Sequence, residues 1–237
     1  MIGRAPLVVI ASTLISVLSL SAGCSTDRSS LPAAPSSTAS SQGADSQARA
    51  LLLSSLEATK TLATAHVVIV FQGKFSRLGE VSKIDGDAQA SPLIANGMVT
   101  YQNGEVAPFV LAGDTVSVEV GGVWNAVGAT SALIPSPVID PRQGLPNILN
   151  SVKDPQSAGS EIIAGTDTAK VTGTLPAEQA TEILPEASGP ADFTAWIRKA
   201  GDPVLVRIAL GFNPGQSLTA TFSNWNIPVH VTATPAT

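Results

Sequence analysis

Hydrophobic residues follow three different patterns along this chain of 237 residues. Residues 6–20 form one apolar stretch close to the N-terminus. Between Leu52 and Ala63, apolar and small residues recur at the spacing of an α-helix, which predicts a helix capped by Asp45. Further along, the period changes from helical to two, the period of β-strands.

The alternation of period two predicts roughly ten β-strands. Turn signals separate the runs, for example at residues 102–104, 113–114 and 121–122. Such short connections favour antiparallel strands with one apolar face and one solvent-exposed face. The residues assigned to the apolar faces and to the interior beneath them are Val67, Ile69, Phe71, Val99, Val116, Val118, Val206, Ile208, Leu210 and Phe222.

Two more short helices are predicted. One follows Asp140 and Pro141, and the other runs from Leu175 to Ile183. With so few helices, an α+β domain of this size has a sheet that is only partly covered. The uncovered space must be filled by side chains, by another subunit or by a ligand, because a dry void costs about 24 cal/mol per Å³.

The N-terminus has the parts of a secretory signal peptide over residues 1–23. A basic residue, Arg4, precedes the apolar stretch, and small residues lead directly to Cys24. The tract of residues 20–24 resembles a bacterial lipobox, although Ser21 replaces the usual branched aliphatic residue. We therefore expect a lipid anchor on Cys24, a flexible Ser/Pro/Ala-rich tether over residues 24–44, and one domain over residues 45–237. A soluble secreted protein that is cleaved elsewhere is the alternative.

Composition narrows the class of partner. The formal net charge is −5, and no basic patch occurs, so we do not expect nucleic acid as a partner. Charged residues make up only 13% of the chain and aromatic residues only 4%, so that aliphatic side chains supply most of the apolar surface. Such walls suit alkyl chains, but an ordinary core of Ala and Val has the same composition.

Motifs for catalysis are missing from the sequence. It contains no G-x-S-x-G elbow, no P-loop and no dinucleotide-binding G-x-G-x-x-G, and its two histidines, His66 and His230, have no metal-ligand spacing. Asp85 and Asp87, with Lys83 nearby, fit a surface charge ladder better than an acid/base pair. We expect no enzyme activity, no metal and no cofactor.

A series of short motifs runs along most of the mature chain: Ala58-Thr59-Lys60, His66-Val67, Ile84-Asp85-Gly86-Asp87, Thr100-Tyr101, Pro108-Phe109, Asp140-Pro141, Gly144-Leu145, Lys170-Val171-Thr172-Gly173-Thr174, Trp196-Ile197, Leu205-Val206-Arg207, Ser223-Asn224-Trp225-Asn226 and Pro228-Val229. In this order the motifs resemble the mycobacterial LppX/LprG lipoprotein family. Residues 113–114, 117–118, 124–125 and 172–177 most resemble its LppX branch.

The resemblance implies a U-shaped antiparallel half-barrel with helices on its concave face and an apolar cavity between the layers. It also implies a carrier that binds a long-chain apolar lipid, phthiocerol dimycocerosate above all, and moves it across the periplasm toward the outer membrane. The expected protein is a monomer on the outer face of the plasma membrane, with a membrane lipid exporter as a further partner. On this basis the ten apolar-face residues named above become the expected lipid-binding residues.

Three other functions remain open at this point. An esterase acting on envelope lipids would need a reactive serine. A docking or assembly lipoprotein would fill its interior with its own side chains. A carrier of triacylated glycolipid or triacylglycerol would share the fold and differ in cargo, as the resemblance to LprG implies.

Overall fold

The computed structural model describes residues 38–129 and 144–228. The signal peptide, Cys24, the pair Asp140 and Pro141, and His230 lie outside the described residues.

Three described helices accompany the sheet: α1 (Thr38–Lys60), α2 (Gly144–Ser151) and α3 (Ala177–Ile183). The prediction of α3 is confirmed, whereas the predicted cap at Asp45 is wrong because α1 begins at Thr38, inside the range assigned to the tether. Within residues 38–44 the strongest helix-disfavouring residue is Gly43, and no proline occurs there to stop the helix. No helix of the described ranges combines the length and the hydropathy that a membrane span requires.

One antiparallel sheet contains all eleven described strands, in the order β6-β5-β4-β3-β2-β1-β11-β10-β9-β8-β7. The α+β prediction is therefore confirmed. Paired strands are consecutive in sequence except β1 and β11, and β6 and β7 form the two edges of the sheet. The strands are β1 (Thr64–Gln72), β2 (Val81–Ala90), β3 (Leu93–Tyr101), β4 (Val106–Ala112), β5 (Thr115–Val120), β6 (Val123–Ala129), β7 (Lys153–Ile163), β8 (Thr166–Leu175), β9 (Ala191–Arg198), β10 (Leu205–Asn213) and β11 (Gln216–Ser223).

The sheet has two rims. The upper rim carries the connections at residues 73–80, 102–105, 121–122 and 214–215 and the start of β7, and the lower rim carries those at residues 91–92, 113–114, 164–165 and 199–204. In a flat sheet β5 and β10 would lie about 29 Å apart, six strand spacings of about 4.8 Å. Both strands line one cavity, so the sheet curls into an open half-barrel, as the resemblance implied.

Two hydrophobic clusters occupy the concave face. The larger one joins α1, α2 and α3 to the strands from β8 to β11, with Leu52, Leu149 and Phe193 at its centre. The smaller one joins β3, β4 and β5 through residues such as Val99 and Phe109. The buried members of the smaller cluster all come from strands, so the helices cover only one side of the curved sheet.

Candidate functional site

A cavity lies between the two hydrophobic clusters of the concave face. Val81 and Ile84 of β2 pack against both clusters and form part of its wall. The cavity volume is about 330 Å³ when only the space open to the centre of a water molecule is counted. It is about 1890 Å³ when all empty space, including the open mouth, is counted. The uneven cover by the helices thus leaves the interior of the half-barrel unfilled.

The lining is almost entirely aliphatic or aromatic. Its few polar members are Thr59, Thr64, Asp87, Gln89 and Tyr101. Such a wall offers contact surface for alkyl chains and few hydrogen bonds for a polar ligand. Affinity for a long apolar molecule would come mainly from removing its methylene groups from water.

Eight of the ten apolar-face residues expected from the sequence lie in the cavity wall. The β1 residues Val67 and Ile69 are only partly buried. Strand alternation placed the eight because each strand presents every second side chain to one face. The eight residues are Val67, Ile69, Val99, Val116, Val118, Ile208, Leu210 and Phe222.

Phe71 and Val206 are not part of the lining. Phe71 packs edge-on against Phe75 at a centroid distance of 5.2 Å, within the larger cluster. Val206 lies on the outer face with Ile163 and Trp196, so its assignment to the interior is wrong. The register between β9 and β10 shifts at this point, and a bulge places one extra residue there and reverses the alternation.

Several lining residues come from outside the strands and were missed by the sequence. Thr59 and Leu62 lie at the end of α1, Ile183 ends α3, and Leu78 lies in a loop. Trp225 follows β11 and stacks on Phe222 at a centroid distance of 5.4 Å with 19° between the ring planes. The sequence shows Trp225 three residues after Phe222. The stacking of the two rings could not be predicted from it, because the chain turns at Asn224, which has a φ of 49°.

Charged side chains of β1 and β2 lie toward the outer face, although Asp87 also borders the cavity near the lower rim. His66 Nδ1 lies 2.8 Å from Asp87 Oδ1, and Lys83 Nζ lies 2.7 Å from Asp85 Oδ2, as expected for a charge ladder that His66 extends. These groups belong to neighbouring strands whose alternate residues face the cavity. Within the described ranges, no cluster of three or more His, Cys, Asp or Glu side chains could hold a metal ion.

Trp196 forms the centre of a second group on the outer face. Its Nε1 donates a hydrogen bond of 2.8 Å to Glu161 Oε2, and Lys170 Nζ lies 5.0 Å from the ring centroid. The hydrogen bond from Trp196 lowers the pKa of Glu161 below its usual value. Desolvation opposes this shift, and the charges of Lys170 and Arg207 add to it. These contacts hold the Trp196 indole against the outer face of the sheet.

The fold and the cavity together define a class, a half-barrel with an apolar interior. Comparison with known proteins gives the family. The LppX_LprAFG lipoprotein family model matches residues 47–231, so the chain belongs to this family and the resemblance found in its motifs is confirmed.

Two relatives differ in the ligand that their names give. LppX of Mycobacterium tuberculosis, named as a proposed phthiocerol dimycocerosate transporter, is 38% identical over 75% of this chain and 76% of its own length. The lipoarabinomannan carrier protein LprG of Mycolicibacterium smegmatis is 32% identical over 92% of each chain.

Two solved structures share the fold. The crystal structure of M. tuberculosis LppX has a TM-score of 0.69 and 34% identity, and it covers 79% of this chain and 100% of its own. LprF of Mycobacterium bovis has a TM-score of 0.68 and 25% identity, over 79% of this chain and 96% of its own.

Proposed function

We propose that this protein is a lipid carrier of the cell envelope that holds the alkyl chains of a long apolar lipid in the cavity. The observation that carries the proposal is the unfilled, aliphatic interior between the two hydrophobic clusters. The names of LppX and LprG, which are those of a transporter and a carrier rather than of enzymes, support it. Phthiocerol dimycocerosate is the proposed cargo because of the similarity to LppX.

Transport would be passive in this account. Each methylene group exposed to water costs about 0.8 kcal/mol, so a protein that shields a lipid removes the main barrier to its passage through water. The cavity wall offers few polar groups that could form hydrogen bonds with a ligand. Cavity size and shape, rather than hydrogen bonds, would therefore select the cargo.

The remaining parts of the proposal concern location. Residues 1–23 would direct export, and acyl chains on Cys24 would hold the monomeric domain at the outer face of the plasma membrane. A single acyl chain gives only reversible binding, whereas two or more give a lasting anchor. A membrane lipid exporter would supply the cargo from that side, and the outer membrane would receive it.

The similarity to LprG supports a second cargo. Because LprG is named as a lipoarabinomannan carrier and matches over 92% of both chains, an acylated glycolipid is the alternative ligand. Only the acyl chains of such a lipid would enter the cavity, and its sugars would remain in water. Triacylglycerol would be bound in the same way but without a polar remainder.

The test is purification from the native host followed by mass spectrometry of the extracted lipid. Val118→Trp and Leu210→Trp add bulk at two lining positions, whereas Met98→Trp adds the same bulk at a residue of β3 that is exposed on the outer face. We expect both lining variants to lose long-chain lipid and Met98→Trp to retain it. Equal loading of all three variants would contradict carriage in this cavity, and the masses would distinguish the two cargoes.

A further inference from the structure

The tip of the β5–β6 hairpin, residues 120–123, contains no polar side chain and exposes two large apolar ones. Val120 and Val123 pair across the tip and are 55% and 60% exposed. Gly121 and Gly122 between them have φ values of +61° and +79°, the conformation of a type I′ turn. Asn-Gly and Asp-Gly are common in such turns, so a Gly-Gly pair gives the same geometry without a polar side chain.

The β1–β2 and β3–β4 connections on the same rim carry polar and charged side chains. The β3–β4 turn contains Asn103, whose side-chain oxygen accepts a hydrogen bond from the backbone N–H of Glu105. By contrast, the hairpin tip exposes two valines and two glycines, and Trp124 follows directly in β6. An exposed apolar tip next to an indole suits the interface between water and a lipid bilayer, where tryptophan is enriched.

The direction of α1 shows which end of the helix lies on the same rim as the hairpin tip. Arg49 Nη2 donates a hydrogen bond of 2.6 Å to the carbonyl oxygen of Val152, just before β7 begins on the upper rim. From there α1 continues to Lys60, and the chain enters β1 at Thr64 on the lower rim. The N-terminal end of α1 therefore leaves the sheet at the upper rim, the rim that carries the hairpin tip.

This direction determines which rim is tethered. The stretch from Cys24 to Thr38 spans at most about 50 Å even when it is fully extended. A lipid anchor on Cys24 would thus hold the upper rim toward the bilayer at the shortest tether length. The hairpin tip contains no charged residue, and the chain carries a net charge of −5, so neutral lipid rather than anionic lipid fits this surface.

We propose that the β5–β6 hairpin tip is a membrane contact, through which the anchored domain docks on the bilayer with its upper rim. This inference rests on the proposed anchor at Cys24. Val116 and Val118 of the same strand line the cavity, and by alternation Val120 faces the same side. Docking through the tip therefore brings the apolar wall of β5 to the surface from which a lipid is taken.

The test uses the full acylated chain in vesicles of phosphatidylcholine that carry bromine on the acyl chains, which quench nearby indoles. We expect quenching of Trp124, which Trp124→Phe abolishes and Trp196→Phe leaves unchanged. Trp225 lines the cavity, so the quenching removed by Trp225→Phe reports lipid inside the protein and tests the carrier function separately. Absence of quenching at Trp124 would overturn the docking inference, whatever happens at Trp225.

A matched pair of variants measures the contribution of the valines. Because each valine is a little more than half exposed, replacing both with Asp should lower the ratio of docked to undocked protein roughly fivefold per residue. Ile162→Asp is the control, since Ile162 is 72% exposed next to the β7–β8 turn on the lower rim. Equal effects of the two changes would overturn the inference, as would failure of the acylated chain to float with the vesicles.

An exposed edge strand such as β6 could also pair with a second copy of the chain. Analytical ultracentrifugation in the absence of lipid distinguishes membrane docking from self-association. We expect a monomer whose sedimentation Val120→Asp and Val123→Asp do not change. A dimer that these substitutions dissociate would overturn membrane docking in favour of self-association.

Discussion

Gly86 of β2 and Gly97 of β3 face each other directly across the sheet. A Cβ atom added to Gly97 would lie 2.5 Å from the Cα of Gly86, and one added to Gly86 would lie 3.0 Å from the Cα of Gly97. Their row continues to Val67 on one side and to Phe109 on the other, both of which line the cavity. The glycine pair thus lets two strands approach closely where the wall of the cavity crosses from one hydrophobic cluster to the other.

Replacing Gly97 with Ala should therefore destabilise the domain by about 1–3 kcal/mol, because the backbone of β2 must move to admit the methyl group. Gly189→Ala is the matched control, since an added Cβ meets nothing within 4 Å there. Its free energy of unfolding should stay the same or rise by about 0.4–1 kcal/mol. Denaturant unfolding measures both variants, and equal stability would contradict the role of the glycine pair.

The stack of Trp225 on Phe222 places an indole in the cavity wall as a reporter. In a variant with Trp124→Phe and Trp196→Phe, the emission of Trp225 should move to shorter wavelength when a long-chain fatty acid is added, because alkyl groups replace water around the ring. Adding Val118→Phe, which narrows the cavity, should weaken this response. A fluorescence titration that gives the same shift with and without Val118→Phe would contradict binding inside the half-barrel.

The hydrogen bond from Arg49 to the carbonyl oxygen of Val152 fastens α1 to the start of β7. This bond is partly buried and its donor is charged, so Arg49→Ala should cost about 1.5–3 kcal/mol. Lys60→Ala removes an exposed ion pair with Glu57 on the same helix and should cost about 0.5 kcal/mol or less. Thermal unfolding compares the two variants, and an equal loss would show that the Arg49 contact does not hold the helix.

The hydrogen bond from Trp196 to Glu161 makes stability depend on pH. Since the pKa of Glu161 is lowered in the folded protein, its contribution is present above the unfolded value of 4.5 and is lost as the pH falls through the folded value. Glu161→Gln should therefore lower the melting temperature at pH 7, and the difference from the natural protein should shrink at pH 3. A difference that stays constant between these two pH values would contradict the assignment.

Strand alternation was sufficient to find most of the cavity wall. Val99 and Val118 lie in regular runs of period two, and each faces the interior as expected. At Val206 the same rule failed, because a bulge opposite Trp196 cannot be seen in the pattern of apolar residues. The sequence pattern shows only the local period of a strand. One extra residue in a bulge moves the side chains on one side of it to the opposite face of the sheet.

The pattern of hydrophobic residues could not predict which residues from distant parts of the chain meet in the cavity wall. Leu62 and Ile183 come from the ends of two helices, and they meet in one wall only because the sheet curls. The close approach at Gly86 and Gly97 was also hidden, because the two residues look like any strand glycines in sequence and become a pair only through the register of β2 and β3. The family resemblance supplied the half-barrel that these contacts explain.

The most direct test of a lipid-holding interior is an experimental structure of the protein purified from its own host. We expect elongated density for alkyl chains between Val118 on one wall and Leu210 on the other, with lipid of matching mass in the extract. An interior closed by the protein's own valine and leucine side chains, with no lipid in the extract, would contradict the carrier function and favour a docking or assembly lipoprotein.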